Sequence, residues 1–198
     1  MLLAGRSFWD RFHTLWASWG VEQRPYIDDS STKLASPDLP ISKIWFGGDT
    51  GLRKVPRGRK QEEMPICPVF EQIGERFGGF DLAASPIDTV GGYIYALTRK
   101  FFHFQLVPIG AFSPRGAFSA IHASPDDAVE IHLLVKSKRS IGMHWGCWTL
   151  SDEPFMQDPQ CLKQACMNRG VDPDEFNTLY ICGTLRQTPS SMEVLKTT

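Results

Sequence analysis

Two residues of metal-binding type stand at the ends of apolar strands. Asp49 follows the stretch KIWFGG, residues 43–48, and His144 follows SIGM, residues 140–143. A glycine comes within two positions of each. Carboxylate oxygen and imidazole nitrogen are both zinc ligands, and metal ions in such sites activate water and hold a phosphoryl or acyl oxygen. The pair therefore indicates a hydrolytic metal site, with an ordinary strand-to-loop exit as the alternative.

Two further residues are candidates for a pocket beside this pair. His122 lies in AIHASP, directly before a predicted helix, so we expect it at a loop tip near the site. Arg115 lies in AFSPRG between a strand and a turn, where a guanidinium can bind a phosphate. The alternative for Arg115 is a solvated loop position. His132 falls in the middle of the predicted helix and is expected to be a packed or surface side chain.

The elements that must position these residues alternate between strands and helices. Apolar residues at helical spacing predict a helix over 66–79, ending at glycines. Ser124 as N-cap and Pro125 at the first helical position predict a second helix. A third helix is expected to end near Gly170. The pattern predicts an α/β fold, in which strand ends meet at one edge of the sheet.

The sequence gives weaker signals of secondary structure in two other segments. Residues 7–22 are compatible with either a strand–turn–strand or a short amphipathic helix. Residues 52–65 are charged and rich in turn-forming residues, which predicts a surface insertion.

Composition limits the classes of function. Basic and acidic residues number 21 and 22, which argues against a nucleic-acid partner. Five cysteines without a C-x-x-C pair are typical of an intracellular, reduced protein. The sequence shows no secretory signal and no apolar run long enough to span a bilayer, so we expect a protein that is neither secreted nor membrane-spanning.

An ordered series of motifs carries a family resemblance. The segments are GRSFWDRFHTLWASWGVE, WFGGDTG, PVFEQIGERFGGFDLAASPI, PIGAFSPRG and IHASPDDAVEIHLLVKSKRSIGMHWGCWTLSDEP. Together they resemble the N-acyl-phosphatidylethanolamine-hydrolysing phospholipase D family, from about residue 5 to about residue 185. The resemblance implies a partial metallo-β-lactamase-type αββα sandwich over residues 1–187, mainly its C-terminal half. We expect residues 188–198 to be a disordered tail.

The resemblance also implies roles for the candidate residues. Asp49 matches the carboxylate that bridges two zinc ions, and His144 matches a late histidine ligand. His122 matches a histidine of the substrate pocket, where Arg115 is a second substrate-binding candidate. The family cleaves N-acyl-phosphatidylethanolamine to an N-acylethanolamine and phosphatidic acid. A membrane phospholipid substrate implies peripheral membrane contact, in the cytoplasm or on an organelle, and a homodimer remains open.

The sequence departs from the family in three places. The H-x-H-x-D-H motif, which supplies most of the zinc ligands, is absent from the chain, so only Asp49 and His144 match zinc ligands. The alternative to an active hydrolase is therefore a catalytically inactive fragment, and the sequence leaves enzymatic activity undecided. Residues 87–108 match nothing in the family and are predicted to be a non-family insert, either translated intron or a surface insertion. Cys147 stands where the family usually has threonine.

Overall fold

The computed structural model describes residues 2–5, 18–23, 42–80, 105–146, 149, 151–154, 156–179, 184–187 and 192–195. Within these ranges the chain is mixed α/β. The strands are β1 (Leu2–Gly5), β2 (Ser18–Gln23), β3 (Ser42–Phe46), β4 (Gln105–Pro108), β5 (Ser140–Met143), β6 (Phe176–Thr178), β7 (Thr184–Gln187) and β8 (Met192–Leu195). The α-helices are α1 (Val69–Phe77), α2 (Arg115–Phe118), α3 (Pro125–Leu134) and α4 (Asp158–Arg169), and a 3₁₀ turn spans Gln61–Glu63.

Six strands form one sheet in the order β1-β2-β3-β4-β5-β6. The first two pairings are antiparallel, whereas β3, β4, β5 and β6 run parallel to one another. In the register, Phe46 lies opposite Leu106, which lies opposite Ile141. The carboxyl ends of β3, β4 and β5 therefore reach the same edge of the sheet, as the alternating pattern predicts. A separate hairpin pairs β7 with β8.

The helices begin and end where local sequence signals place them. The Ser124 side chain accepts a hydrogen bond from the Asp127 amide and caps α3, and Pro125 follows in the first turn. Gly78 and Gly170 end α1 and α4 in the left-handed conformation. These features confirm the predicted start of α3 and the predicted glycine ends of α1 and α4, because capping depends on neighbouring residues alone. Helix α1 begins at Val69, later than the predicted residue 66.

The core lies between the sheet and the helices. Trp45 of β3 is 2% exposed and contacts Phe70 of α1 edge-on, with ring centroids 6.0 Å apart. Helix α3 contributes much of the remaining apolar surface and packs against α1, α4 and β4. Its buried apolar residues are Ala128, Val129 and Ile131. The core thereby anchors the strands whose ends carry the candidate site.

Residues 52–65 are mostly exposed, as expected of a surface segment, but part of the segment is buried against the core. Leu52 and Val55 are buried, and the Arg53 side chain forms an ion pair with buried Asp127. The exposed residues of the segment are Lys54, residues 56–60, Glu62, Glu63 and Pro65. The charged composition suggested a solvated loop, but apolar residues at two positions anchor the segment to the core.

Several other expectations fall partly outside the described residues. Ser18–Gln23 is a strand, whereas residues 6–17 lie outside the described ranges. Residues 105–108, the last four of the predicted insert, form β4 within the sheet, while residues 87–104 lie outside. Within the predicted disordered tail, residues 188–198, the structure has the strand β8, and the rest of the tail lies outside the described residues. Cys147 also lies outside the described residues.

None of the described helices has the length and hydrophobicity needed to cross a bilayer.

Candidate metal centre

Asp49 and His144 lie together at the carboxyl edge of the parallel strands. Asp49 comes three residues after the end of β3, and His144 follows β5 directly. The Nε2 atom of His144 lies 3.4 Å from Oδ1 of Asp49. The two side chains are 26% and 22% exposed, so solvent or a ligand can reach them. The structure thus brings together the two residues that sequence analysis singled out as zinc ligands.

His122 joins this pair as a third residue. It lies in the loop between α2 and α3, and its ring centroid is 5.1 Å from that of His144. Asp49, His122 and His144 each offer one ligand atom, and these atoms all lie within 4.8 Å of one another. Sequence analysis assigned His122 to the substrate pocket, whereas this geometry makes it a potential metal ligand as well.

The His122 ring has one polar atom without a protein partner. Its Nδ1 atom is buried and forms no hydrogen bond among the described residues. A buried polar nitrogen without a partner carries a free-energy cost. A cation coordinated at this ring would remove that cost if it bound through Nδ1.

Electrostatics keep His122 in the form that binds metals. Burial lowers the pKa of His122, and nearby His144 lowers it further, whereas Asp49 and Glu153 act in the opposite direction. A histidine must be neutral to donate its lone pair to a metal. The lowered pKa therefore favours the ligand form at neutral pH.

The backbone at His144 is held by a close contact with the loop after β4. A Cβ atom on Gly110 would lie 2.0 Å from the carbonyl oxygen of His144, so only glycine fits at this position. His144 itself has φ 64, in the left-handed region that residues other than glycine seldom adopt. The conformation of the β5 exit thus depends on tight packing against Gly110.

Two acidic residues lie next to the cluster, and sequence analysis did not identify them. Glu153 accepts hydrogen bonds from the amides of Phe112 and Ser113, at 3.0 and 3.1 Å. Burial alone would raise the pKa of Glu153, but these bonds, with others from Ser151 and its own amide, lower it. For Asp158, burial and then the charge of Glu153 raise the pKa to about 6. Glu153 lies at the end of the last quoted motif, but nothing in the sequence singled out either residue, because their proximity arises from the fold.

Arg115 lies at the start of α2 and contacts the His122 loop. Its Nε donates to Oε1 of Gln61 at 3.0 Å, and its Nη1 donates to the carbonyl oxygen of His122, also at 3.0 Å. Its Nη2 forms an ion pair with Asp127. Each guanidinium nitrogen therefore has a protein partner, which does not fit the solvated-loop alternative. Phosphate binding by Arg115 stays a prediction.

The donor set suits zinc. Two imidazoles and one carboxylate are ligands that catalytic zinc sites use, and three protein ligands leave a position for water or substrate. The fit rests on the clustering of ligand atoms and on the unpartnered Nδ1 of His122.

Comparisons with known proteins bear on this site. The chain is 30% identical over 168 residues to N-acyl-phosphatidylethanolamine-hydrolyzing phospholipase D 1 of Caenorhabditis elegans, a match that covers 84% of this chain and 33% of the relative. It is 29% identical over 161 residues to uncharacterized proteins of Mycobacterium tuberculosis and Mycobacterium bovis, covering 80% of this chain and 29% of each relative. No protein-family model matches the chain. The chain therefore spans about a third of the length of these curated relatives, and the match to the C. elegans protein supports a relationship between the two.

Proposed function

We propose that this chain belongs to the N-acyl-phosphatidylethanolamine-hydrolysing phospholipase D family and carries part of the metal centre of a phosphodiesterase-type hydrolase. The observation that carries the proposal is the convergence of Asp49, His122 and His144, whose ligand atoms lie within 4.8 Å of one another. The relationship to the C. elegans phospholipase supports the assignment.

In this proposal, Asp49, His122 and His144 would hold a zinc ion. Zinc supplies Lewis acidity toward water and toward a phosphoryl oxygen. Glu153 does not contact the cluster directly but accepts two amide hydrogen bonds, which keep the loop after β4 in place beside His144. The amides of Phe112 and Ser113 are thereby occupied and are not free to bind an oxyanion.

The proposed substrate is a membrane phospholipid, N-acyl-phosphatidylethanolamine, by analogy with the name of the C. elegans relative. The proposed architecture is a metallo-β-lactamase-type sandwich, to which the parallel sheet and its edge site would contribute the C-terminal half. An enzyme of this kind would act at a membrane surface through peripheral contact.

A catalytically inactive, metal-binding fragment is the second candidate. The observation that favours it is the absence of an H-x-H-x-D-H motif anywhere in the 198 residues. In the family that motif supplies most of the ligands for two zinc ions, whereas the described residues of this chain bring together three ligand residues. The two candidates share metal binding and differ in hydrolysis.

Metal binding and hydrolysis are measured on the same purified chain. We expect about one zinc ion per chain by mass spectrometry after dialysis, and at least tenfold weaker binding in Asp49→Asn and His144→Gln. His132→Asn is the matched control, because His132 is buried in α3 and bonded to Ser140 of β5 rather than to the cluster. Failure of the wild-type chain to bind zinc would overturn both candidates.

The second measurement separates the two candidates. The chain is incubated with N-acyl-phosphatidylethanolamine in mixed micelles, and N-acylethanolamine is quantified. Zinc-dependent release that is lost in His144→Gln supports the hydrolase. Zinc binding without release supports the inactive fragment.

A further inference from the structure

A buried ion cluster lies behind the His122 loop. The Asp127 carboxylate is fully buried at the start of α3. Its Oδ1 accepts a hydrogen bond from Nε of Arg53 at 2.8 Å, and its Oδ2 pairs with the Arg115 guanidinium. Two cations therefore share one buried carboxylate, which depends on this pairing because the carboxylate has lost its water.

The cluster joins three parts of the chain that are distant in sequence. Arg53 comes from the segment after Asp49, Arg115 begins α2, and Asp127 lies in α3. Gln61 connects the two arginines, since its carbonyl oxygen accepts from Nη1 of Arg53 at 3.3 Å and its side chain accepts from Nε of Arg115. The charged segment 52–65 is thereby tied to the helices on either side of the His122 loop.

One hydrogen bond connects the cluster directly to His122. Nη1 of Arg115 donates to the His122 carbonyl oxygen at 3.0 Å. The His122 amide in turn donates to the carbonyl oxygen of Phe118 at 2.8 Å, at the end of α2. Both backbone polar groups of His122 are therefore held, which fixes the backbone position that carries the ring.

The segment after Asp49 packs against the start of the same loop. A Cβ atom on Gly51 would lie 2.2 Å from the carbonyl oxygen of Ser119, so the two backbones touch. The Val55 amide donates to Oγ of Ser119 at 2.8 Å. The distance between Asp49 and His122 therefore depends on how segment 52–65 sits on this loop.

From these contacts we propose that Arg53, Asp127 and Arg115 form a positioning cluster that holds His122 against Asp49 and His144. The cluster acts through the His122 backbone and touches neither metal nor substrate. The consequence for metal binding rests on the proposed function, whereas the positioning of the His122 ring does not. Arg115 thus acts on the site indirectly, through the position of His122. Segment 52–65 contributes to the same positioning through Arg53.

The test variant is Arg115→Lys, which keeps the positive charge beside Asp127 but cannot reproduce three fixed donors. Arg57→Lys is the matched control, because Arg57 is an exposed arginine of segment 52–65 that is not part of the positioning cluster. Histidine ring resonances of the metal-free chain are recorded by NMR in all three proteins. We expect Arg115→Lys to shift the His122 resonances and to leave those of His132, at the other end of β5, in place.

Cobalt titration followed by visible absorption provides the functional readout. We expect about tenfold weaker Co²⁺ binding in Arg115→Lys and unchanged binding in Arg57→Lys. Movement of both histidines, or of neither, would overturn the proposal, as would unchanged Co²⁺ affinity in Arg115→Lys. If the wild-type chain binds no Co²⁺, the proposed function fails, and the ring resonances alone decide the positioning role.

Discussion

His132 lies buried in α3 and makes folding stability depend on pH. Its side chain is 2% exposed, its Nδ1 lies 2.7 Å from Oγ of Ser140, and its ring packs on Phe176. Burial lowers the pKa of His132 from 6.5 to about 4. The folded chain therefore keeps this ring neutral at pH values where the unfolded chain protonates it.

The sign and size of the effect follow from linkage. Between pH 6.5 and about 4 the unfolded state binds one more proton at His132 than the folded state does, so stability falls as the pH falls. The interval is roughly 2.5 pH units, and each unit is worth about 1.4 kcal/mol. His132 alone should therefore lower the free energy of unfolding by about 3 kcal/mol between pH 7 and pH 4.

The measurement is urea unfolding followed by tryptophan fluorescence at both pH values, in the wild-type chain and in His132→Asn. The asparagine can still bond to Ser140 but does not titrate, so other titrating groups cancel in the difference between the two proteins. His132→Asn should have a lower free energy of unfolding than the wild type at pH 7 because packing is lost. That difference between the two proteins should shrink by about 3 kcal/mol at pH 4. A difference that is the same at both pH values would refute the reasoning.

Two further predictions concern the packing that positions the site. Gly110→Ala places a Cβ atom 2.0 Å from the His144 carbonyl oxygen, so we expect at least tenfold weaker Co²⁺ binding by titration. Gly116→Ala meets only ordinary contacts near 3.6 Å and should bind like the wild type; equal affinity in both variants would contradict the role of Gly110. Phe70→Ala removes the edge contact with Trp45 and should lower the free energy of unfolding by about 3–5 kcal/mol in urea. A loss below about 1 kcal/mol would show that this part of the core is loosely packed.

Short-range signals in the sequence predicted some elements of the fold, whereas β4 falls within the predicted insert 87–108. Apolar residues followed by glycines placed the ends of β3 and β5, and Ser124 with Pro125 placed the start of α3. These features depend on residues that are neighbours along the chain. Alternating strands and helices also predicted the parallel strands, because connections between parallel strands need a crossover.

Local sequence patterns did not predict the contacts between residues that are distant along the chain. Composition suggested that segment 52–65 is a solvated loop, yet Arg53 pairs with Asp127, 74 residues further along the chain. Sequence analysis did not foresee that the Arg115 guanidinium bonds to Gln61 and to the His122 carbonyl oxygen. Whether a charged side chain faces solvent, a ligand or a buried partner depends on which segments the fold brings next to it.

The sequence by itself predicted that Asp49 and His144 each follow an apolar strand and that these strands end at one edge of an α/β sheet, because strand periodicity and chain direction govern that placement. Only the tertiary structure decided that His122 completes the cluster, because its ring is carried by a loop whose position no local pattern specifies. The contacts of that loop with Gly51, Arg115 and the core bring the ring within ligand distance of the other two residues.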